Sequence, residues 1–190
     1  KGTPGLTTGK KEEKLGIRAS DTCELYFDNC EIPESNLIGN LGQGFSIAMQ
    51  ALGGGRIGIA SQSVGLARSA LDKTISYSQE REQFGKIIAK FGAIQNKIAD
   101  MATNIEAARL LVMQAAMLKD QGKEYIKESS MAKLFASSTA MSAATECVQV
   151  HGGYGYIQEY GVERLMRDAK ITEIYDCLLY TSDAADEKRC

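Results

Sequence analysis

Three short stretches hold the side chains, and the missing side chains, that chemistry needs. Gly53-Gly54-Gly55-Arg56 places three residues without β-carbons and one permanent cation inside a helical pattern, where each glycine costs about 1 kcal/mol relative to alanine. Bare backbone lets a flat ligand or an apolar chain lie against it, and Arg56 can hold a charged group; a close helix crossing or a kink would demand the same glycines. Arg81-Glu82-Gln83-Phe84-Gly85-Lys86 sets a cation at either end of a loop with an aromatic between them. Arg81 offers a bidentate fork to a phosphate, and Phe84 offers a ring face to a cofactor. A solvated turn between helices is the alternative for this loop. Gln149-Val150-His151-Gly152-Gly153-Tyr154-Gly155-Tyr156 ends a helical pattern on glycines. A helix C-cap accounts for one of them and not three, and backbone amides free of side chains suit the approach of a flavin or nucleotide.

Other chemistries are missing. His151 is the only histidine, and without a partner Cys, Ser or Asp at a recognisable spacing it earns no catalytic role from the residues alone. Cysteines 23, 30, 147, 177 and 190 lack metal-ligand spacing, so no metal is expected. Their odd number argues against a disulfide framework, and a reducing interior fits best. There is no GxxxxGK[ST], no strand-linked GxGxxG and no GxSxG. The 22 basic and 24 acidic residues are interspersed, which leaves no electrostatic footprint for nucleic acid. No apolar run approaches the roughly 20 residues of a membrane span.

The elements that must position these stretches are mainly helical. Residues 15–32 carry a β signal, with Cys23, Leu25 and Phe27 alternating against Glu24, Tyr26 and Asp28, and predict two short strands there. Glycines 39, 42 and 44 then punctuate a loop, and no proline follows Pro33. Helices are expected over about 45–79, 93–119, 126–150 and 162–169. Their seams run through Ile57, Ala60, Val64, Ala67, Leu71, Ile75 and Ser78; then Ile94, Ile98, Met101, Ile105, Ala108, Val112 and Ala115; then Met131, Leu134, Ser138, Met141, Thr145 and Val148. Short connections between them predict an up-down four-helix bundle, preceded by the last strands of a β domain. The expected division is 1–38 for the β part, 39–176 for the bundle and 177–190 for a tail. The opening Lys1-Gly2-Thr3-Pro4-Gly5, without an initiator Met, reads as a mid-protein turn. On periodicity alone, a helical assembly module with no catalytic site is an equal reading.

In order and spacing, G-I-R-A-S, E-L-Y-F-D-N-C-E-I-P, G-Q-G-F, G-R-I-G-I-A-S-Q-S-V-G, R-E-Q-F-G-K, Q-N-K-I-A-D-M, A-A-M-L-K-D and Q-V-H-G-G-Y-G-Y resemble the acyl-CoA dehydrogenases. The likeness covers about residues 1–175 and is nearest to the short-chain (butyryl-CoA) branch. It implies FAD as cofactor, short-chain acyl-CoA as substrate, an electron-transferring flavoprotein as partner, and a homotetramer whose FAD sites are shared between subunits. The implied setting is the bacterial cytoplasm or the mitochondrial matrix. By the resemblance, Arg81 and Phe84 contact a neighbouring subunit's FAD, Gln149, Val150, His151, Gly152 and Gly153 line its adenosine end, and Gln95 is a further contact. The family's Asp-x-Gly-Arg substrate motif falls on Gly53, Gly54, Gly55 and Arg56, with Gly53 in place of the acid.

The family's catalytic Glu falls on Asp176. From Cys177 to Glu187 the chain instead resembles the conceptual translation of a sequencing-library adapter, so 177–190 is expected to be a non-native tail and Asp176 a junction codon whose native residue is Glu. The implied reaction takes the α-proton of an acyl thioester onto the carboxylate while the β-hydrogen leaves as hydride, giving a 2-enoyl-CoA; the fragment alone is expected to be inactive. An oxygen-using sibling, an acyl-CoA oxidase or an Asp-based nitroalkane oxidase, is the enzymatic rival.

Overall fold

The structure, a computed structural model, describes residues 2–176; the predicted tail lies outside the described residues. Four long elements dominate. Helix α1 spans Gly44–Glu80, α2 Gly92–Asp120 and α3 Ile126–His151; after the four-residue α4, Gly153–Tyr156, comes α5, Val162–Thr172. Each agrees with its sequence-based bounds to within one residue at each end, apart from the three further residues at the end of α5. Side-chain pairings fix the directions. Tyr77 lies beside His151 near the C-terminal ends of α1 and α3, and Arg56 reaches Ser130 near their beginnings. Lys119, at the end of α2, lies over Gly54. The order is therefore up, down, up, down, as the short connections require.

The seams of α1 and α2 face inward as read from the sequence, but that of α3 does so only at Met141 and Val148. Its buried residues are Ser129, Ala132, Ala136, Ala140, Ala143, Ala144 and Cys147, among others, while Met131 and Leu134 of the expected stripe are exposed and so are Ser138 and Thr145. The inner face is chosen by size. α3 packs centrally against α1, α2 and α5, and only small residues let three axes approach it. Buried hydroxyls cost little there because Ser137 donates to Lys133 O at 2.6 Å and Thr74 to Ala70 O at 2.8 Å, each within its own helix.

The core divides along the bundle. One cluster joins all four long elements through Leu71, Met101, Ile105, Ala144, Val162 and Leu165. A second, around Ala60, Ala108, Val112, Ala115, Ala132 and Ala136, draws on α1, α2 and α3 alone, because the eleven-residue α5 stops short of that end. The bundle is three-helical where α1 carries its glycines.

Two small strand pairs complete the fold. β1 (Leu6–Thr8) pairs antiparallel with β2 (Leu25–Phe27), with Thr7 opposite Tyr26. Only one strand therefore lies within 15–32, and its partner precedes that segment. Leu25, Tyr26 and Phe27 are all exposed, so the alternation has no covered face here. β3 (Glu82–Gln83) and β4 (Lys86–Ile87) make a hairpin in the α1–α2 connection. Its two-residue turn, Phe84-Gly85, has positive φ at both positions, +52° and +76°, which matches the right-handed twist of the strands.

Candidate functional site

Two places on the bundle gather the predicted residues, and they lie at opposite ends of α1. At the C-terminal end, a cavity of about 430 Å³ is lined by Arg81, Val150, His151, Gly152 and Gly153, together with Tyr77, Gln83 and Tyr154. Tyr77 lies one helical turn before Arg81, so both point to the end of α3. The His151 ring stacks on Tyr77 with centroids 4.1 Å apart, and Tyr160 closes edge-on against both. Arg81 lies over the Tyr154 ring at 5.3 Å. His151 Nδ1 donates to Cys147 O at 2.8 Å, the only role a carbonyl partner allows it, which leaves Nε2 as an acceptor. Burial holds the imidazole below its ordinary pKa, so it is a neutral ring at pH 7. Burial likewise pushes the neighbouring Cys147 thiol up, which makes it inert as a nucleophile.

The glycines of this end have separate explanations. Gly152 adopts φ +60° to end α3, and Gly155 is pressed so close to Val148 O that a β-carbon would collide with it. Gly153 meets nothing within 4 Å; its backbone is left open beside the cavity. A ring to stack on, a guanidinium and bare backbone fit the adenosine and phosphate portion of a dinucleotide. Three predicted contacts do not line the cavity. Phe84 stands at the hairpin tip, 93% exposed, with only the Phe91 ring edge-on at 6.3 Å. Gln95 Nε2 donates to Ala89 O at 3.0 Å on the outer surface, and Gln149 is exposed. A bulky residue held at positive φ is an outlier that persists where surroundings impose it; here the two-residue turn does so and leaves the ring exposed.

At the other end the glycines fan around α1 rather than meeting at one surface. A β-carbon on Gly53 would lie 2.5 Å from Ile126 Cδ1, so helix crossing explains that residue. One on Gly54 would lie 3.0 Å from Lys119 Nζ, and one on Gly55 would lie 2.8 Å from Asp176 Oδ2. The carboxylate predicted to do chemistry thus rests against the backbone of α1 at Gly55, within one residue of Arg56, whose Nη1 donates to Ser130 Oγ at 3.1 Å. Its strip is tethered. Tyr175 OH donates to Gln62 Oε1 at 2.6 Å, with the phenol pKa raised by burial, and Lys133, 4% exposed, donates to Glu173 O at 3.4 Å. Sequence reasoning missed Tyr77, Tyr154, Tyr160, Gln62 and Lys133; only the run of tyrosines after Gly153 hinted at an aromatic site.

Among the described residues no helix is long and apolar enough to cross a membrane. Residues 42–176 match the model of the acyl-CoA dehydrogenase C-terminal domain. An acyl-CoA dehydrogenase of Bacillus subtilis (strain 168) is 56% identical over 93% of the chain. The solved butyryl-CoA dehydrogenase of Megasphaera elsdenii superposes with a TM-score of 0.92 at 52% identity over 94% of the chain. A structure described as the electron transferring flavoprotein of Acidaminococcus fermentans contains a similar chain, with a TM-score of 0.93 at 55% identity over 94% of this one. The chain spans about half the length of these proteins: 46%, 46% and 47% respectively.

Proposed function

Because the chain belongs to the acyl-CoA dehydrogenase family, we propose that it is the C-terminal part of an enzyme that oxidises short-chain acyl-CoA thioesters to 2-enoyl-CoA. The observation that carries this reading is the Asp176 carboxylate lodged against Gly55, where a bound acyl chain can lie along bare backbone. Asp176 takes the α-proton and holds it on its carboxyl group, as a general base must. The chemistry that bound FAD would supply is a hydride acceptor for the β-hydrogen. Gly55 leaves room for the carboxylate, Tyr175 and Gln62 fix its strip against α1, and Arg56, the next residue along α1, offers its guanidinium to a charged group of the CoA moiety. Arg81, His151, Gly152 and Gly153 hold the adenosine and phosphate end of the cofactor.

One molecule of FAD does not join these two sites within a chain. From Gly55 to Arg81 is 26 positions of continuous helix, or about 39 Å at 1.5 Å per residue. The cavity of one subunit therefore serves the carboxylate of another, and Phe84 reaches across the same boundary. Exposed Leu110, Met113 and Met117 on α2 and Met131, Leu134 and Phe135 on α3 supply the apolar faces that a homotetramer covers. An electron-transferring flavoprotein reoxidises the reduced enzyme, and the fragment alone, lacking most of the flavin pocket, is inactive. The setting proposed with this reading is the bacterial cytoplasm or the mitochondrial matrix.

The uninterrupted natural protein, loaded with FAD, is expected to turn over butyryl-CoA with an artificial electron acceptor; no turnover with any acyl-CoA sinks the proposal. An Asp at 176 in the uninterrupted natural protein would favour the oxygen-using sibling. Oxygen consumption with a nitroalkane, absent with butyryl-CoA, would establish that reading instead.

A further inference from the structure

A junction between the β segment and α5 belongs to neither site. Ile17 N donates to Asp168 Oδ1 at 2.6 Å, and Arg167 Nη1 donates to Leu15 O at 2.8 Å. Arg167 is itself aimed by an ion pair with Glu163 at 3.0 Å. Between the two anchored residues lies buried Gly16, pressed on α5 so tightly that a β-carbon would collide with Arg167 O and lie 2.7 Å from Asp168 Oδ1. Ile17 has φ +44°, a conformation a β-branched residue holds only where its surroundings impose it. Two side chains, one close approach and one strained residue thus converge on a three-residue contact.

We infer that Asp168 and Arg167 are positioning residues that set where the carboxylate of residue 176 stands, by clasping loop 15–17 to α5. Asp168 precedes Asp176 by eight positions, all but the last four within α5, and a helix carries displacement at one end to the other. The bundle restrains the strip through Gln62 and Lys133. The clasp adds the register with the β segment. Without it α5 can slide or turn by a fraction of a residue, and a misplacement of about 1 Å at a reacting group costs on the order of 100-fold in rate. The inference rests on the dehydrogenase reading for the reaction that the carboxylate serves, and on the geometry alone for the clasp.

The test compares Asp168→Ala with Asp168→Asn in the FAD-loaded, uninterrupted protein. Asn keeps an oxygen that accepts from Ile17 N; Ala does not. The Ala variant is expected to slow single-turnover flavin bleaching by butyryl-CoA by about 10- to 100-fold with KM within about twofold of the parent, while the Asn variant stays within about threefold. Amide exchange over residues 171–176 is expected to speed up by about tenfold or more in the Ala variant alone. Parental bleaching and exchange in the Ala variant, or an Asn variant as slow as Ala, would overturn the clasp. Should Asp168→Ala fail to fold, Arg167→Gln decides it: faster exchange over 171–176 with slower bleaching supports the clasp, and parental values reject it. A parent protein that bleaches with no acyl-CoA removes the dehydrogenase reading, and exchange in the same variants then decides the clasp by itself.

Discussion

The cavity at the C-terminal end of α1 and the carboxylate near its beginning are built in opposite ways. The cavity is made of packing: stacked rings, a buried neutral imidazole and a helix terminated by a glycine at positive φ. The carboxylate is made of tethers, on a strip beyond the end of α5 held by a phenol, a buried lysine and contact with bare backbone. A ligand that is only gripped can be met by a rigid wall. A group that must approach a reacting atom is set by a few adjustable bonds, and small changes there read out as rate rather than affinity.

Substitutions should separate the two accordingly. In the uninterrupted protein, replacing the carboxylate at position 176 by its amide is expected to lower the rate of flavin reduction by about 10²- to 10⁴-fold, the range for loss of a general base, with FAD content unchanged; an equal loss of FAD would dissolve the distinction. Gly55→Ala puts a β-carbon 2.8 Å from the present place of Asp176 Oδ2 and should cost about 10- to 100-fold in the same rate, again without loss of cofactor. Arg81→Ala should instead weaken FAD binding by about tenfold, the worth of a charge-assisted hydrogen bond to phosphate, and leave the rate at saturating FAD alone. Titration of the apoprotein followed by fluorescence checks it.

The smallest effect concerns pH. Burial lowers the folded-state pKa of His151 below its ordinary 6.5, so the unfolded chain binds a proton that the folded one refuses. That contribution to stability is complete above about pH 6.5 and is lost as the pH falls below it. Urea midpoints measured across this window should fall with acidification, and His151→Gln should flatten the fall.

The bundle was legible because three helices repeat apolar residues at three and four positions and no proline interrupts them. The face of α3 was not. Reading Met131 and Leu134 as core follows from weighing hydrophobicity, whereas the inner face went to alanine and serine because axis separation ruled. The hairpin at Glu82–Ile87 hid behind a phenylalanine at a position of positive φ, where turn chemistry favours Asn, Asp or Gly. Of the site, Arg81 and His151–Gly153 could be nominated as anomalies of residue type. The junction at Gly16 could not, since one glycine in a loop announces neither its partner 151 positions away nor the carbonyl that it admits.

The inversion on α3, alanine inside and methionine, leucine and phenylalanine outside, has a consequence for how stability should be measured. A seam of alanines withdraws little apolar area from water per residue, and much of what the chain has left to bury lies on its outer faces. Folding and association then draw on the same surface. By mass action the thermal midpoint is no constant of the chain but a function of its concentration: tenfold dilution should lower it, and a melting curve repeated at two concentrations will show whether the protomer has a stability of its own.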